Sequence, residues 1–241
     1  MRCKLAGWAA AWLLAVSLQA GAGDALLVVG DNAPPFRIFE GDRCSGIYCD
    51  ALLEIGRRTG LHFRFAETPG ARALMMMQYD QADIMLGPNK TPERERYLVF
   101  LTTAFPAARK VFYQRPESSP IKHYADLTGQ LVSVERGKQF FDPFDHDPAI
   151  RRDIVSDSLT ALRKVAAGRS DAALLPEWEG DWLLRQQPLM LVKAPYFAEG
   201  RLSYIALSRR ADQGTTRATI DKAFGELQKD GTLQHIIEKY R

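Results

Sequence analysis

Short apolar stretches alternate with amphipathic ones along most of this chain, and that order restricts the possible fold more than any other feature. Residues 25–30 (ALLVVG) predict a buried strand. Asp50 can cap a helix that runs to Arg58, with Gly60 as its stop. Strands that alternate with helices indicate parallel sheets covered by helices, so we predict an α/β fold.

The same patterns assign most of the remaining chain. Strands are expected at 61–65, 83–86, 110–114, 131–135, 189–193 and 202–207, and helices at 71–78, 215–229 and 232–240.

A short repeat indicates that the chain has two similar parts. Ala73 lies ten residues before Asp83, and Ala161 lies ten residues before Asp171. Each aspartate opens an apolar stretch, DIML in the first copy and DAALL in the second. We therefore predict two α/β lobes between which the chain crosses twice. The expected organisation is a signal peptide at 1–22, a first lobe made of 23–107 and 198–241, and a second lobe made of 108–197.

The N-terminus has the three parts of a signal peptide. Arg2 and Lys4 form a short positive region, residues 5–18 are apolar and uncharged, and 20–22 (AGA) is a small-residue cleavage site. The apolar run is shorter than the roughly 20 residues that span a bilayer. An uncleaved membrane anchor is the alternative. We predict cleavage near Ala22 and export to the periplasm.

The charge balance excludes one class of partner. Lys and Arg total 32, and Asp and Glu total 29. Loss of Arg2 and Lys4 with the signal peptide leaves 30 basic against 29 acidic residues, a net charge of +1. A nearly neutral chain lacks the basic surface that binds a phosphate backbone, so we expect no nucleic-acid partner.

Two cysteines remain once Cys3 is removed with the signal peptide. They are Cys44 and Cys49. A close pair in an oxidising compartment favours a disulfide, and two free buried thiols are the alternative.

No metal or cofactor is expected. The histidines have no metal-ligand spacing, and the acidic stretch at 142–147 is expected to be an exposed loop. The sequence also lacks a glycine-rich phosphate loop and a serine nucleophile elbow.

Several short motifs, taken in order, resemble those of the bacterial extracellular solute-binding proteins of family 3, the polar amino acid type. They run through nearly the whole mature chain. The motifs are PF at 35–36, GIY at 46–48 followed by DALL at 50–53, ADIM at 82–85, TPER at 91–94 followed by Phe100, DL at 126–127 followed by Gly129, GRSDAA at 168–173, and LQKDGTLQHIIEKY at 227–240.

The resemblance implies a two-lobed clamshell, the type II periplasmic binding fold. Each lobe is expected to be a mainly parallel sheet flanked by helices, with a hinge of two strands and the ligand in the cleft between the lobes. The implied function is capture of an amino acid or related small carboxylate for the membrane permease of an ABC transporter. We expect a monomer without enzymatic activity.

The resemblance places Arg94 at the carboxylate of the ligand. A guanidinium offers a planar fork of donors that matches a carboxylate. The turn from Asn89 to Thr91 opens a short helix, where backbone N–H groups and the Thr91 hydroxyl can complete an anion site. The alternative is a surface arginine paired with Glu93 or Glu95.

The second lobe departs from the family pattern. Pro176 stands where amino acid binders have the aspartate that holds the ammonium group of the ligand. Glu177 and Glu179 follow it and are candidates to replace that charge. The alternative is a solvated helix start, where the helix dipole favours acids. If neither glutamate takes this role, the ligand lacks an α-amino group.

Four further residues complete the predicted ligand site. Lys138 and Gln139 lie in a loop that the family uses for ligand contacts, and Lys138 suggests a second anionic group on the ligand. A solvated loop lysine is the alternative. Arg72 falls where some members have a cleft-facing arginine, and Phe36 lies in the loop after the first strand.

Two other functions remain possible from the sequence. Some relatives of this fold are periplasmic dehydratases of cyclohexadienyl acids, in which Glu179 would be the acid or base. The chain could also be a ligand-sensing module for a membrane receptor.

Overall fold

The computed structural model describes residues 25–240. Its first elements are β1 (Leu26–Gly30), β2 (Ile38–Glu40), β3 (Arg43–Ser45), α1 (Ile47–Thr59), β4 (Phe63–Glu67), α2 (Gly70–Gln78), β5 (Ile84–Leu86) and β6 (Leu98–Phe105). The later ones are β7 (Lys110–Gln114), β8 (Leu131–Glu135), β9 (Arg151–Val155), α3 (Ser158–Ala166), β10 (Ala172–Pro176), α4 (Glu177–Gln186), β11 (Val192–Ala198), β12 (Ser203–Ser208), α5 (Thr216–Lys229) and α6 (Thr232–Tyr240).

The predicted signal peptide and its cleavage site lie outside the described residues. Across residues 25–240, none of the helices has the length and apolar character needed to cross a membrane.

The first sheet has the strand order β4-β1-β5-β12-β6. β1 is parallel to β4 and β5, whereas β12 is antiparallel to both of its neighbours. One face packs against α1, α5 and α6, and the other packs against α2. We call this sheet with its four helices the first lobe.

The second sheet has the strand order β11-β7-β10-β8-β9. Here β8 is parallel to β9 and β10, and β7 is antiparallel to both β10 and β11. α3 covers one face, and a cluster of aromatic side chains around Phe144 covers the other. This sheet, with α3 and α4, is the second lobe. The expected α/β clamshell is therefore confirmed.

Within residues 25–240, two short connectors join the lobes. The first links β6 to β7, and the second links β11 to β12. They touch where a Cβ atom on Gly200 would lie 1.9 Å from the carbonyl oxygen of Ala108. Only glycine allows this approach of the two connectors.

The aspartates of the sequence repeat have the same position in both lobes. Asp83 Oδ2 accepts a hydrogen bond from Leu27 N at 2.8 Å, and Asp171 Oδ2 accepts one from Leu131 N at 2.7 Å. Each carboxylate therefore fixes the start of the parallel strand beside its own. The sequence repeat therefore corresponds to equivalent positions in two lobes of similar structure, as predicted.

The strand expected at 189–193 is placed wrongly. β11 (Val192–Ala198) overlaps it only at residues 192–193 and continues through 194–198, which had been assigned to the crossing. It pairs with β7 at the edge of the sheet and contains a register shift between Lys193 and Phe197. Because edge strands tolerate proline and exposed side chains, β11 has neither an apolar run nor a regular alternation.

The helix expected to start at Asp50 begins one turn earlier, at Ile47. Gly46 precedes it with φ +103°, and a Cβ atom there would lie 2.7 Å from the Pro35 carbonyl oxygen. Asp50 is not the cap. Its carboxylate accepts hydrogen bonds from the hydroxyl of Tyr240 and from Lys239 Nζ, both at 2.8 Å, and so ties α1 to α6.

The disulfide between Cys44 and Cys49 is confirmed. It joins the β2–β3 hairpin to the first turn of α1. The bond lies beside Phe36 and Tyr48 in the first-lobe core, so it holds the loop after β1 against the helix.

Candidate functional site

The predicted site residues lie beyond the carboxyl ends of the parallel strands, where α/β sheets bind ligands. The two lobes meet there. The ring of Trp178, at the start of α4, packs on the ring of Phe36 in the loop after β1, with 5.9 Å between centroids. Farther along α4, Arg185 Nη2 donates to the carbonyl oxygen of Tyr240 at 2.5 Å. The loops of both lobes therefore face a common cleft.

The structure brings Arg94, Asn89 and Thr91 together. Arg94 opens a 3₁₀ turn after β5, and its backbone N–H donates to the Thr91 hydroxyl at 3.3 Å. Its guanidinium Nη1 donates to the Asn89 carbonyl oxygen at 3.1 Å. Neither Glu93 nor Glu95 pairs with this guanidinium within residues 25–240, and Glu95 instead pairs with Lys90. The remaining guanidinium N–H groups of the half-buried Arg94 are available to an anion.

The loop after β1 is held by an arginine that the sequence analysis did not single out. Arg37 Nη1 donates to the Leu86 carbonyl oxygen at 2.8 Å, and its Nη2 pairs with Asp31 at 2.7 Å. A Cβ atom on Gly87 would lie 2.5 Å from this guanidinium. Arg37 therefore ties the end of β1 to the end of β5, on the first-lobe side of the cleft.

Phe36 is part of an aromatic cluster that reaches from the cleft into the first-lobe core. Its ring lies 5.1 Å from that of Tyr48, which lies 4.1 Å from that of Phe105. Burial raises the pKa of the Tyr48 hydroxyl, so this group stays neutral. Phe36 and Trp178 form an apolar contact between the lobes.

Lys138 and Glu179 form an ion pair inside the second lobe. Lys138 Nζ lies 2.9 Å and 3.0 Å from the two carboxylate oxygens of Glu179, and 2.9 Å from Glu135. The Glu179 side chain is only 8% exposed. Burial opposes the charge on Lys138, but the two glutamates outweigh it and raise the pKa of the lysine.

This pairing changes two expectations. Lys138 is not a free cation in a solvated loop, and Glu179 is not a free anion at a helix start. The positive charge that the sequence suggested for a second anionic group is balanced within the protein.

Glu177 points away from Glu179. Its carboxylate pairs with Lys193 at 2.8 Å, and Lys193 also pairs with Asp181 at 3.0 Å. Residues two apart on a helix face different directions, so the two glutamates cannot act on one ligand atom. The structure separates these two predicted site residues.

Arg72 and Gln139 are exposed, on α2 and in the loop after β8 respectively. Neither forms a hydrogen bond or an ion pair with any other residue in 25–240. The structure does not bring them into the network that holds Arg94 or Lys138.

Lys110 is a further charged residue of this region, which the sequence analysis placed in a strand and did not connect with the site. It begins β7, opposite Pro176 in the register of β10. Burial, together with the nearby charges of Lys138 and Arg201, lowers the pKa of the Lys110 ammonium to about 8, although Glu179 acts in the opposite direction. No ion pair or hydrogen bond to its ammonium occurs in the described chain.

The acidic loop after β8 uses its side chains locally. Asp145 accepts from the Phe140 backbone N–H at 2.9 Å, and Asp147 accepts from the Tyr124 hydroxyl at 2.8 Å. His146 and Asp142 are exposed. Within the described residues, no three or more His, Cys, Asp or Glu side chains are placed to share a metal ion.

Comparison with known proteins identifies the family. The model of the family described as bacterial extracellular solute-binding proteins, family 3, matches residues 26–241. The chain belongs to this family.

Relatives and solved structures agree with this assignment. The L-cystine-binding protein TcyJ of Escherichia coli is 23% identical over 223 residues, which cover 90% of this chain and 82% of the relative. The crystal structure of a mutant of ArgBP from T. maritima superposes with a TM-score of 0.73 at 23% identity, covering 90% of this chain and 94% of that one.

A histidine kinase sensor domain with similarity to periplasmic binding proteins superposes with a TM-score of 0.69. It is 20% identical and covers 91% of this chain and 96% of its own. The names of the family, TcyJ and ArgBP denote binding proteins rather than dehydratases. The chain is thus a member of a family of solute-binding proteins.

Proposed function

We propose that this family 3 protein captures a small solute by its carboxylate and holds it between the two lobes. The Arg94 guanidinium supports this most strongly. It is half-buried, and within the described chain only its Nη1 donates a hydrogen bond, to Asn89. The other donors can bind both oxygens of one carboxylate. The solute class is amino acids and related small carboxylates, as the similarity to a cystine-binding protein supports.

Binding is coupled to closure of the lobes. A solute that contacts both lobes stabilises the closed arrangement over the open one. Closure would bring Trp178 of the second lobe onto Phe36 of the first, and the two rings lie 5.9 Å apart in this structure. We further propose that the monomeric protein is exported to the periplasm after cleavage near Ala22, and that it delivers its solute to an ABC-type permease.

A sensing role is the second candidate, because a histidine kinase sensor domain has a similar fold. Crosslinking in cells, followed by identification of the membrane partner, distinguishes the transport role from the sensing role. A permease partner supports transport, and a receptor partner supports sensing.

The ligand role of Arg94 is tested by replacing it with alanine. A thermal-shift screen of the amino acids, cystine and small organic acids first identifies a ligand. Arg94→Ala is then expected to weaken binding at least tenfold in calorimetry, because the carboxylate loses its charged partner in a closed cleft.

Arg96→Ala is the matched control. Arg96 lies in the same 3₁₀ turn and is exposed, and its carbonyl oxygen accepts a bond from Arg209 that the substitution keeps. Its affinity should equal that of the wild type. Unchanged affinity in Arg94→Ala would reject the assignment.

A further inference from the structure

The acidic groups of the second lobe at the cleft are already paired. Lys138 Nζ donates to both carboxylate oxygens of Glu179, at 2.9 Å and 3.0 Å, and lies 2.9 Å from Glu135. Glu135 also accepts from the Ser158 hydroxyl at 2.7 Å. A lysine ammonium therefore occupies the position between the two glutamates.

The neighbouring carboxylates are occupied as well. Glu177 pairs with Lys193 at 2.8 Å, and Asp145 accepts from the Phe140 backbone N–H. In the first lobe, Asp31 pairs with Arg37 at 2.7 Å.

Backbone acceptors on the first-lobe side are also in use. The Leu86 carbonyl oxygen accepts from Arg37, and the Asn89 carbonyl oxygen accepts from Arg94. Between them, the Pro88 carbonyl oxygen accepts from the Tyr204 backbone N–H at 3.3 Å.

Among the groups named in this subsection, those with spare capacity are cations. Arg94 has guanidinium donors left over, and Lys110 has no ion pair or hydrogen bond from its ammonium within residues 25–240. Lys138 and Arg201 add positive charge near the Lys110 ammonium, and Glu179 and Asp145 add negative charge. The unused donors of Arg94 and Lys110 are suited to an anion.

We infer that the ligand is a small carboxylate without an ammonium group, such as a 2-oxo, 2-hydroxy or unsubstituted organic acid. This inference rests on the proposed function, namely binding of a carboxylate by Arg94. An ammonium group between the lobes would meet carboxylates and carbonyl oxygens that already accept hydrogen bonds from donors of the protein. A buried charge without a partner weakens binding.

Matched pairs of compounds test this on the wild-type protein. The pairs are pyruvate and alanine, 2-oxoglutarate and glutamate, and succinate and aspartate. Each pair compares an ammonium-free acid with an amino acid of the same chain length. By calorimetry, the ammonium-free acid of the best-binding pair should bind at least tenfold more tightly.

Removal of the Lys138 ammonium should weaken the preference for acids without an ammonium group. In Lys138→Met, Glu179 and Glu135 lose their cation, and the ammonium of an amino acid can replace it. The ratio of affinities is expected to shift at least tenfold towards the amino acid. Lys122→Met, which removes an exposed second-lobe lysine, should leave the ratio unchanged.

The outcomes separate this inference from the proposed function. If the amino acids bind more tightly to the wild type and Arg94→Ala abolishes that binding, this inference is wrong and the proposed function stands. If no carboxylate of the thermal-shift screen or of these pairs binds, both are rejected. The wild-type comparison decides the question even if Lys138→Met does not fold.

Discussion

Basic side chains at the cleft differ in whether the protein itself provides their partners. Lys138 is held by two glutamates, and Arg37 is held by Asp31 and the Leu86 carbonyl oxygen. Arg94 and Lys110 are partly desolvated with fewer partners. An anionic ligand would relieve this loss of solvation, which is the physical reason to expect one here.

The lowered pKa of Lys110 predicts how stability changes with pH. Below about pH 8 the lysine is charged in both the folded and unfolded states, and its burial destabilises the fold. Between about pH 8 and 10.5 the unfolded state binds more protons, so this contribution to stability becomes more favourable as pH rises. In urea denaturation, Lys110→Met should therefore be more stable than the wild type at pH 7 by an amount on the order of 1–3 kcal/mol.

The stability advantage of Lys110→Met should disappear by about pH 10.5. Lys122→Met is the control for loss of one lysine, since Lys122 is exposed, and its stability should follow the wild type at every pH. If Lys110→Met were more stable than the wild type by the same amount at every pH, burial of the charged Lys110 ammonium would not be the cause.

The local geometry around Arg94 could be predicted from the sequence, but the pairing of Lys138 could not. The TPER motif is local, so its geometry with Asn89 and Thr91 could be predicted. The pairing of Lys138 with Glu179 joins positions 41 residues apart. It depends on the register that places β8 beside β10, which the sequence does not specify.

The connectors between the lobes depend on a close contact of two backbones. Gly200→Ala places a Cβ atom 1.9 Å from the Ala108 carbonyl oxygen. One connector must move, and we expect a loss of about 1–3 kcal/mol, as for overpacked sites. The urea midpoint of the variant measures this loss.

Gly225→Ala is the matched control, because its Cβ atom would lie 3.7 Å from Thr103 Oγ1 in ordinary contact. This position is within α5, so alanine should raise stability by up to about 1 kcal/mol. Equal stability of Gly200→Ala and the wild type would show that the connectors do not touch.

Strands were predictable from sequence where they are central and apolar. β8 and β7 lie where the pattern placed them. β11 was misplaced and β9 was not predicted, because both lie at an edge of the second sheet. Half-exposed strands such as β9, with sequence RRDIV, lack the apolar signal of a buried strand.

In each lobe, the first strand that the chain forms after crossing from the other lobe runs antiparallel to its neighbours in the sheet. β7 follows the first crossing and β12 follows the return, and each is antiparallel to its neighbours in its sheet. The carboxyl ends of β1 and β10 face each other, because Phe36 follows β1, Trp178 follows β10, and their rings are in contact. The repeat at Asp83 and Asp171 showed the two lobes in the sequence, but their contact through Trp178 and Phe36 required the structure.

The central claim is that a carboxylate bound by Arg94 lies between the two lobes. A crystal structure of the protein with a ligand from the thermal-shift screen tests it most directly. We predict both carboxylate oxygens within about 3 Å of Arg94 nitrogens, with contacts from the second lobe to the same molecule. A ligand bound elsewhere, with the Arg94 guanidinium directed into solvent, would contradict the account.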